Sequence, residues 1–265
     1  LNKKLILFDE ISKILKSKRL EKKGFQLSST KINCEIDNIG KVVNIKNEKV
    51  FRSNRIIEEF MLLANKSVLN ICGENIKIFR NHNKPSHHSE MIIRDLVSDF
   101  GIFSDNKMYK LDNGIHKLID SLNSKIKKKV YSLFILKKLK KARYDTFSYG
   151  HFGLGFEKYT HFTSPIRRYP DLLIHRSVKA WMRGEKKELR ERDEKAIGLA
   201  NEAELRSKNA QKDYHKIKGL RWLYDNSKKI LDGIFIEFQK QKVIIGISNA
   251  IEIQGEISIN NFPKD

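Results

Sequence analysis

At 265 residues the chain can bury a real core and form one or two domains. Its 53 Lys and Arg against 32 Asp and Glu give a formal net charge of +21, which favours a polyanionic partner, although a lysine- and asparagine-rich composition accounts for part of that excess. No apolar run reaches membrane-spanning length and the first residues do not form a signal peptide. Cys34 and Cys72 show neither CxxC spacing nor a disulfide framework, so a cytoplasmic protein without a membrane partner is expected.

Residues 3–23 read as a helix with Leu7, Ile11, Ile14 and Leu15 on its buried side, ended by Gly24. Alternation over 31–36 and 41–46, around the turn-forming stretch 37–40, predicts a β-hairpin. Asn54 is placed as the cap of the next helix, with Ile56, Phe60, Leu63 and Ser67 on one face and Ile57, Ala64 and Val68 widening it. Glu58 and Asn65, two turns apart, share a flank of that helix. His82, His87 and His88, with Glu90 nearby, invite a metal reading. Adjacent histidines do not easily converge on one ion, however, and the spacing is not that of a zinc site.

A helix over 109–124 presents Leu111, Ile115, Leu118, Ile119 and Leu122, and another over 130–142 turns Leu133 or Phe134, Leu136 and Leu139 to the core. The lysine-dense stretch 125–129 between them faces solvent. A long helix fits 187–224, its alanine-rich stripe too weak for a coiled coil. From Leu231 the texture changes: alternation over 233–238, 242–247 and 250–259 predicts three strands.

Between these blocks lies the densest chemistry of the chain, GHFGLGFEKYTHFTSPIRRYPDLLIHRSVKAWMR over 150–183. Pro165 and Pro170 fix their own φ and push Ser164 and Tyr169 away from the α region. Pro170 can open a helix, and from Leu172 onward Ile174, Val178, Trp181 and Met182 recur at helical spacing. Residues 163–169 therefore form the loop before a buried helix, with Arg167 and Arg168 beside a helix start whose N–H groups also favour an anion. A phosphate is the obvious ligand; two ordinary surface cations and a first-turn carboxylate at Asp171 are the plain alternative.

YTHFTSPIRRYPDLLIHR, with HFGL just before it, closely resembles the signature of the RNB catalytic domain of the ribonuclease II and ribonuclease R group of 3′-to-5′ exoribonucleases. RxxEEFMLLAN over 55–65 also resembles that domain. The resemblance covers about residues 5–225 and implies an α+β fold: the latter, largely helical part of an RNB domain over 1–228, then the start of an antiparallel S1-like OB barrel over 229–265. Such a barrel has five strands, of which about three are expected here. The implied activity is hydrolysis of single-stranded RNA from its 3′ end, with release of nucleoside 5′-monophosphates and Mg²⁺ as cofactor.

Carried onto matching positions, the resemblance makes Arg167 the catalytic phosphate clamp. Its rigid fork can meet two phosphoryl oxygens, and it would act mainly on rate because charge grows there in the transition state. Arg168, Thr163, Ser164, Tyr169, His161 and Glu58 are candidate RNA or phosphate contacts. Thr163 or Ser164 could donate a hydroxyl or fix the loop, His161 is structural or a nucleotide contact rather than a general base, and Tyr169 packs or contacts sugar. Asp171 and His175, one turn apart, are candidate braces of the loop. Glu58 is preferred to Glu59 as the acidic channel residue. Glu204, Ala210, Lys212 and Asp213 match a run like ERxAxxAERD, with Gln211 where ribonuclease II carries an acid, so that role is not carried over.

The family's aspartate cluster, resembling DPxxxxDxDDA, has no counterpart here: Asp95, Asp99 and Asp105 lack its density. No metal ligand is assigned in this chain. The chain begins at Leu1, as a fragment, a processed chain or an incomplete reading would. It is expected to be inactive alone, to need an upstream RNB segment as partner, and to work as a monomer when complete. The competing readings are a non-catalytic RNA-binding remnant and a structural helical protein.

Overall fold

In the computed structural model, residues 2–22, 24–27, 32–100, 111–186, 188–248 and 250–261 are described. The elements run α1 (Asn2–Lys22), β1 (Ile32–Ile36), β2 (Val42–Asn47), α2 (Arg52–Cys72), β3 (Phe79–Asn81), α3 (His87–Asp99), α4 (Leu111–Ser121) and α5 (Lys125–Lys138). They continue with β4 (Arg143–Asp145), α6 (Tyr169–Met182), α7 (Glu191–Asp225), β5 (Gly233–Gln239), β6 (Lys242–Ile247) and β7 (Ala250–Ser258). This is a mixed α+β fold: a mostly helical region followed by a small antiparallel sheet that does not close and resembles part of an OB fold. The chain forms two compact units, one of Leu1–Ser28 with Val50–Glu204, the other of Ser29–Lys49 with Leu205–Asp265.

Two apolar clusters organise the first unit. In one, Ile93 and Val97 of α3, Leu111, Ile115, Leu118 and Ile119 of α4, and Ile135 of α5 pack with Phe25 and Leu122. The other joins Val68, Leu69 and Cys72 of α2 to Ile76, Ile78, Tyr144, Leu173, Ile174 and Ile197, and Phe162 packs against it. In the second unit the β1–β2 hairpin turns on Asp37, whose carboxylate accepts from the N–H groups of Ile39 and Lys41. Its Ile32, Val42 and Ile45 pack with Ala250 and Ile253 of the β5–β6–β7 sheet.

Several buried faces differ from those the apolar periodicity predicts. On α1, Leu7 and Ile14 are about half exposed, whereas Asp9, Ser12, Arg19 and Leu20 are buried. Charge pairing with α2 is the cause. Arg19 donates to Glu59 at 2.6 Å with both side chains buried, and Arg52 pairs with Asp9, which with Lys13 holds that carboxyl well below the usual carboxylate range. On α2, Ile57 and Leu63 are exposed, and the buried positions are Glu59, Asn65, Val68, Leu69 and Cys72. Asn54 is not the cap residue: the cap is Phe51, and the Asn54 side chain reaches back to accept its N–H at 2.9 Å. On α5 the core residue is Ile135, with Leu136 exposed, and residues 125–129 already belong to the helix. On α6, Leu173, Ile174, Ser177 and Ala180 are buried while Trp181 is partly exposed and Met182 lies largely in solvent.

Candidate functional site

The sharp turn of GHFGLG needs glycine: Gly150 and Gly155 have φ of +82° and +70°. His151 caps the following short helical turn by accepting the Leu154 N–H at Nδ1, and His82 accepts the Gly153 N–H at Nδ1. The chain then runs beside β3, with the Arg80 N–H donating to the Tyr159 carbonyl and the Thr160 hydroxyl to the Ile78 carbonyl. By residue 161 the backbone is anchored to the core.

The loop itself is held by side chains from two helices. Asn65 of α2 accepts the Phe162 N–H at 2.8 Å and the Thr163 N–H at 3.2 Å through one oxygen, and its amide donates to the Tyr159 hydroxyl at 2.9 Å. From α6, His175 Nε2 donates to the Phe162 carbonyl at 2.9 Å while its ring stacks on Phe162 at 4.2 Å. Asp171, fully buried, accepts the Ser164 N–H at 2.8 Å and the Arg168 guanidinium at 2.7 Å on the same oxygen. A turn follows, in which the Arg167 and Arg168 N–H groups point to the Ser164 carbonyl, and α6 opens at Tyr169 with Pro170 in its first turn.

Ile166 projects fully into solvent, and Arg167 is exposed next to it. Arg168 is half-buried and occupied by Asp171. Tyr169 is exposed at the helix start. Beneath the loop, three buried polar atoms lack a hydrogen-bond partner: Thr163 Oγ1, Arg168 Nε and Asp171 Oδ1. Glu58 is exposed on α2, whereas neighbouring Glu59 is committed to Arg19.

A layer of neutral rings supports the loop. His161 Nδ1 and the Tyr144 hydroxyl form a 2.8 Å hydrogen bond. Burial, reinforced by Arg168 and Arg80, pushes the His161 imidazole down to about 2. Burial and the neighbouring His82 and Arg80 bring His151 to about 3, and burial raises the Tyr144 phenol to about 12. These groups keep their protons where they are at neutral pH, so His161 is not a proton donor there. Arg80 lies 4.5 Å from the centre of the Tyr144 ring and makes a paired contact with Glu204 at 2.7 and 2.8 Å.

Sequence reasoning left Asn65, Arg80, Tyr144, Tyr159 and His151 without roles. Asn65 ends the EEFMLLAN run and could have been found there. Arg80 and Glu204 are 124 residues apart, and nothing local marks them as partners.

Among the described residues, no three His, Cys, Asp or Glu side chains converge as a set that could hold a metal ion. Glu59 and Asp171 are spent on arginines. The described residues therefore do not fit a divalent-cation site. A separate cavity of about 710 Å³ lies beside the GHFGLG turn, lined by His82, His151, Phe152, Phe156, Tyr149 and Lys84 among others. No helix among the described residues is long and apolar enough to cross a membrane.

The RNB domain matches residues 1–184. Ribonuclease R of Helicobacter pylori (strain 26695) is 32% identical over 270 residues, covering all of this chain and 42% of that protein. Ribonuclease R 1 of Lactococcus lactis is 29% identical, covering 97% of this chain and 32% of its own length. The chain thus spans about two fifths or less of these curated relatives. Among solved structures, apo Mycoplasma genitalium RNase R superposes with a TM-score of 0.81 at 24% identity over 98% of this chain and 42% of that one. Yeast Ssd1, described as a pseudonuclease, superposes with a TM-score of 0.67 at 17% identity over 96% of this chain and 33% of that one. At those identities the structures speak for the fold alone, but the domain match over residues 1–184 and the sequence relationship across the whole of this chain go further: this chain is a member of the RNB-domain family.

Proposed function

We propose that this chain is a non-catalytic RNA-binding remnant of the RNB family, which binds RNA without hydrolysing it. The observation that carries the reading is the loop over 162–168, whose backbone is fixed by Asn65, His175 and Asp171 while Arg167 stands in solvent beside a helix start. A pre-set loop with one exposed guanidinium suits a phosphate, which can take two N–H groups from that fork. The ligand is a single-stranded RNA 3′ end. Mycoplasma genitalium RNase R, which shares the fold, is known in complex with ribose-methylated single-stranded RNA and with double-stranded RNA. In this assignment Arg167 is the phosphate ligand, Thr163, Ser164, Tyr169 and Glu58 line the RNA path, and Arg168, Asp171, His175 and His161 support the loop. Residues 1–228 are the RNB part and 229–265 the beginning of an S1-like OB domain, in a cytoplasmic protein.

The relationship to ribonuclease R favours a second reading, in which the chain is completed by an upstream RNB segment carrying aspartates for Mg²⁺ and the assembly hydrolyses RNA to nucleoside 5′-monophosphates. Arg167 would then add rate as well as affinity. A labelled single-stranded RNA tests both readings. This chain should bind it, with affinity falling steeply as salt rises, and should leave it intact in Mg²⁺. Monophosphate release by the chain alone would refute the first reading. Release only after adding the aspartate-bearing segment, and only with Arg167 intact, would establish the second.

A further inference from the structure

Asn65 is 3% exposed and makes three hydrogen bonds that nothing in α2 requires. Its Oδ1 takes two successive N–H groups of the loop, and its Nδ2 is fixed by the Tyr159 hydroxyl, so the amide has one orientation. Tyr159 is itself buried and in edge contact with His151 and His161. The side chain therefore ties the entry of the loop to a rigid layer. The other loop anchors come from α6, the helix that the loop leads into: His175 on the Phe162 carbonyl and Asp171 on the Ser164 N–H. Asn65 is the anchor from outside that helix, and it determines where residues 162 and 163 stand relative to α6. Arg167 follows four residues later, after a turn closed on the Ser164 carbonyl.

We infer that Asn65 is a positioning residue for phosphate recognition, acting through the loop backbone to place the Arg167 guanidinium. The inference rests on the assignment of Arg167 as the phosphate ligand. A bidentate contact is sensitive to shifts of an ångström, and loss of the Asn65 oxygen leaves two N–H groups to find new partners. A substitution there should then act like the loss of Arg167 itself.

The test is a double-mutant cycle on the whole chain, with binding of a fluorescein-labelled oligoadenylate RNA followed by anisotropy across a salt series. Arg167→Ala should weaken binding about tenfold and flatten the slope of log K against log salt by about 0.7, one single-strand phosphate contact. Asn65→Ala should flatten it equally, and the double variant should bind no more weakly than Arg167→Ala within about twofold. Asn65→Asp, which keeps the accepting oxygen, should restore the wild-type slope. If Asn65→Ala does not fold, Asn65→Ser, too short to reach both N–H groups, takes its place. A wild-type slope in Asn65→Ala or Asn65→Ser, losses that add in the double variant, or a flattened slope in Asn65→Asp would overturn the inference while leaving Arg167 as ligand. No effect of Arg167→Ala alone would overturn the phosphate assignment and this inference with it.

Discussion

Lowering the pH from 7.5 to 5.0 should destabilise the helical unit through the neutral imidazoles beneath the loop. His161 and His151 titrate near 2 and 3 in the folded chain, against an ordinary value of 6.5. In the unfolded chain they take up protons as pH falls through 6.5, and in the folded chain they do not. Their contribution to stability is therefore complete above about pH 7 and is lost progressively below 6.5. At about 1.36 kcal/mol per pH unit and group, each contributes a loss of about 2 kcal/mol between pH 7.5 and 5.0. His82, lowered mainly by burial, adds in the same direction. Urea unfolding followed by the fluorescence of Trp181 on α6, in a Trp222→Phe background, reads the unit that holds these histidines. His161→Asn should remove about 2 kcal/mol of the pH-dependent change. Parallel pH profiles for the two proteins would refute the claim that the folded state keeps His161 unprotonated.

Two further outcomes test the packing around the site. Gly24 has φ of +96°, and a methyl there would meet the Leu154 backbone at 2.8 Å, so Gly24→Ala should cost about 2 kcal/mol or more in urea unfolding. The two adjacent glutamates should separate cleanly: Glu59→Ala strands buried Arg19 and should cost about 3–5 kcal/mol, whereas exposed Glu58→Ala should change stability by about 0.5 kcal/mol or less.

Legibility in the sequence followed the physics of each element. The strands β1, β2, β5, β6 and β7 were visible as short runs rich in Ile, Val and Phe separated by polar turns, residues 37–40 in the hairpin and Lys240 and Gln241 between β5 and β6. The apolar face of α4 was equally clear, since Leu111, Ile115, Leu118 and Ile119 are buried by other apolar residues. The faces of α1 and α2 were not. Periodicity counts hydrocarbon, and there the buried positions include Asp9, Arg19, Glu59 and Asn65, whose partners lie on another helix or a distant loop. Glu58 and Asn65 share a flank by spacing, yet one is exposed and the other buried, because only the Asn65 end of that flank is covered by Tyr159 and the loop. Spacing gives direction along a helix and says nothing about what lies over it.

The same distinction separates Arg167 from Arg168, which the sequence presents as an equivalent pair. Arg168 donates to a carboxylate with no solvent exposure, and that carboxylate also holds the Ser164 N–H. A phosphate competing for Arg168 would leave Asp171 as a buried charge without its counter-ion, a costly exchange. Among the described residues no carboxylate pairs with Arg167, so it need give up only water to meet an anion. Local charge follows the same division: Arg168 and Asp171 cancel, and the loop's net positive charge resides on Arg167. Asp171 thus fastens the loop and, in the proposed phosphate site, would leave recognition to a single guanidinium. Both roles depend on the buried carboxylate that joins the two ends of the turn, the Ser164 N–H on one side and the Arg168 guanidinium on the other.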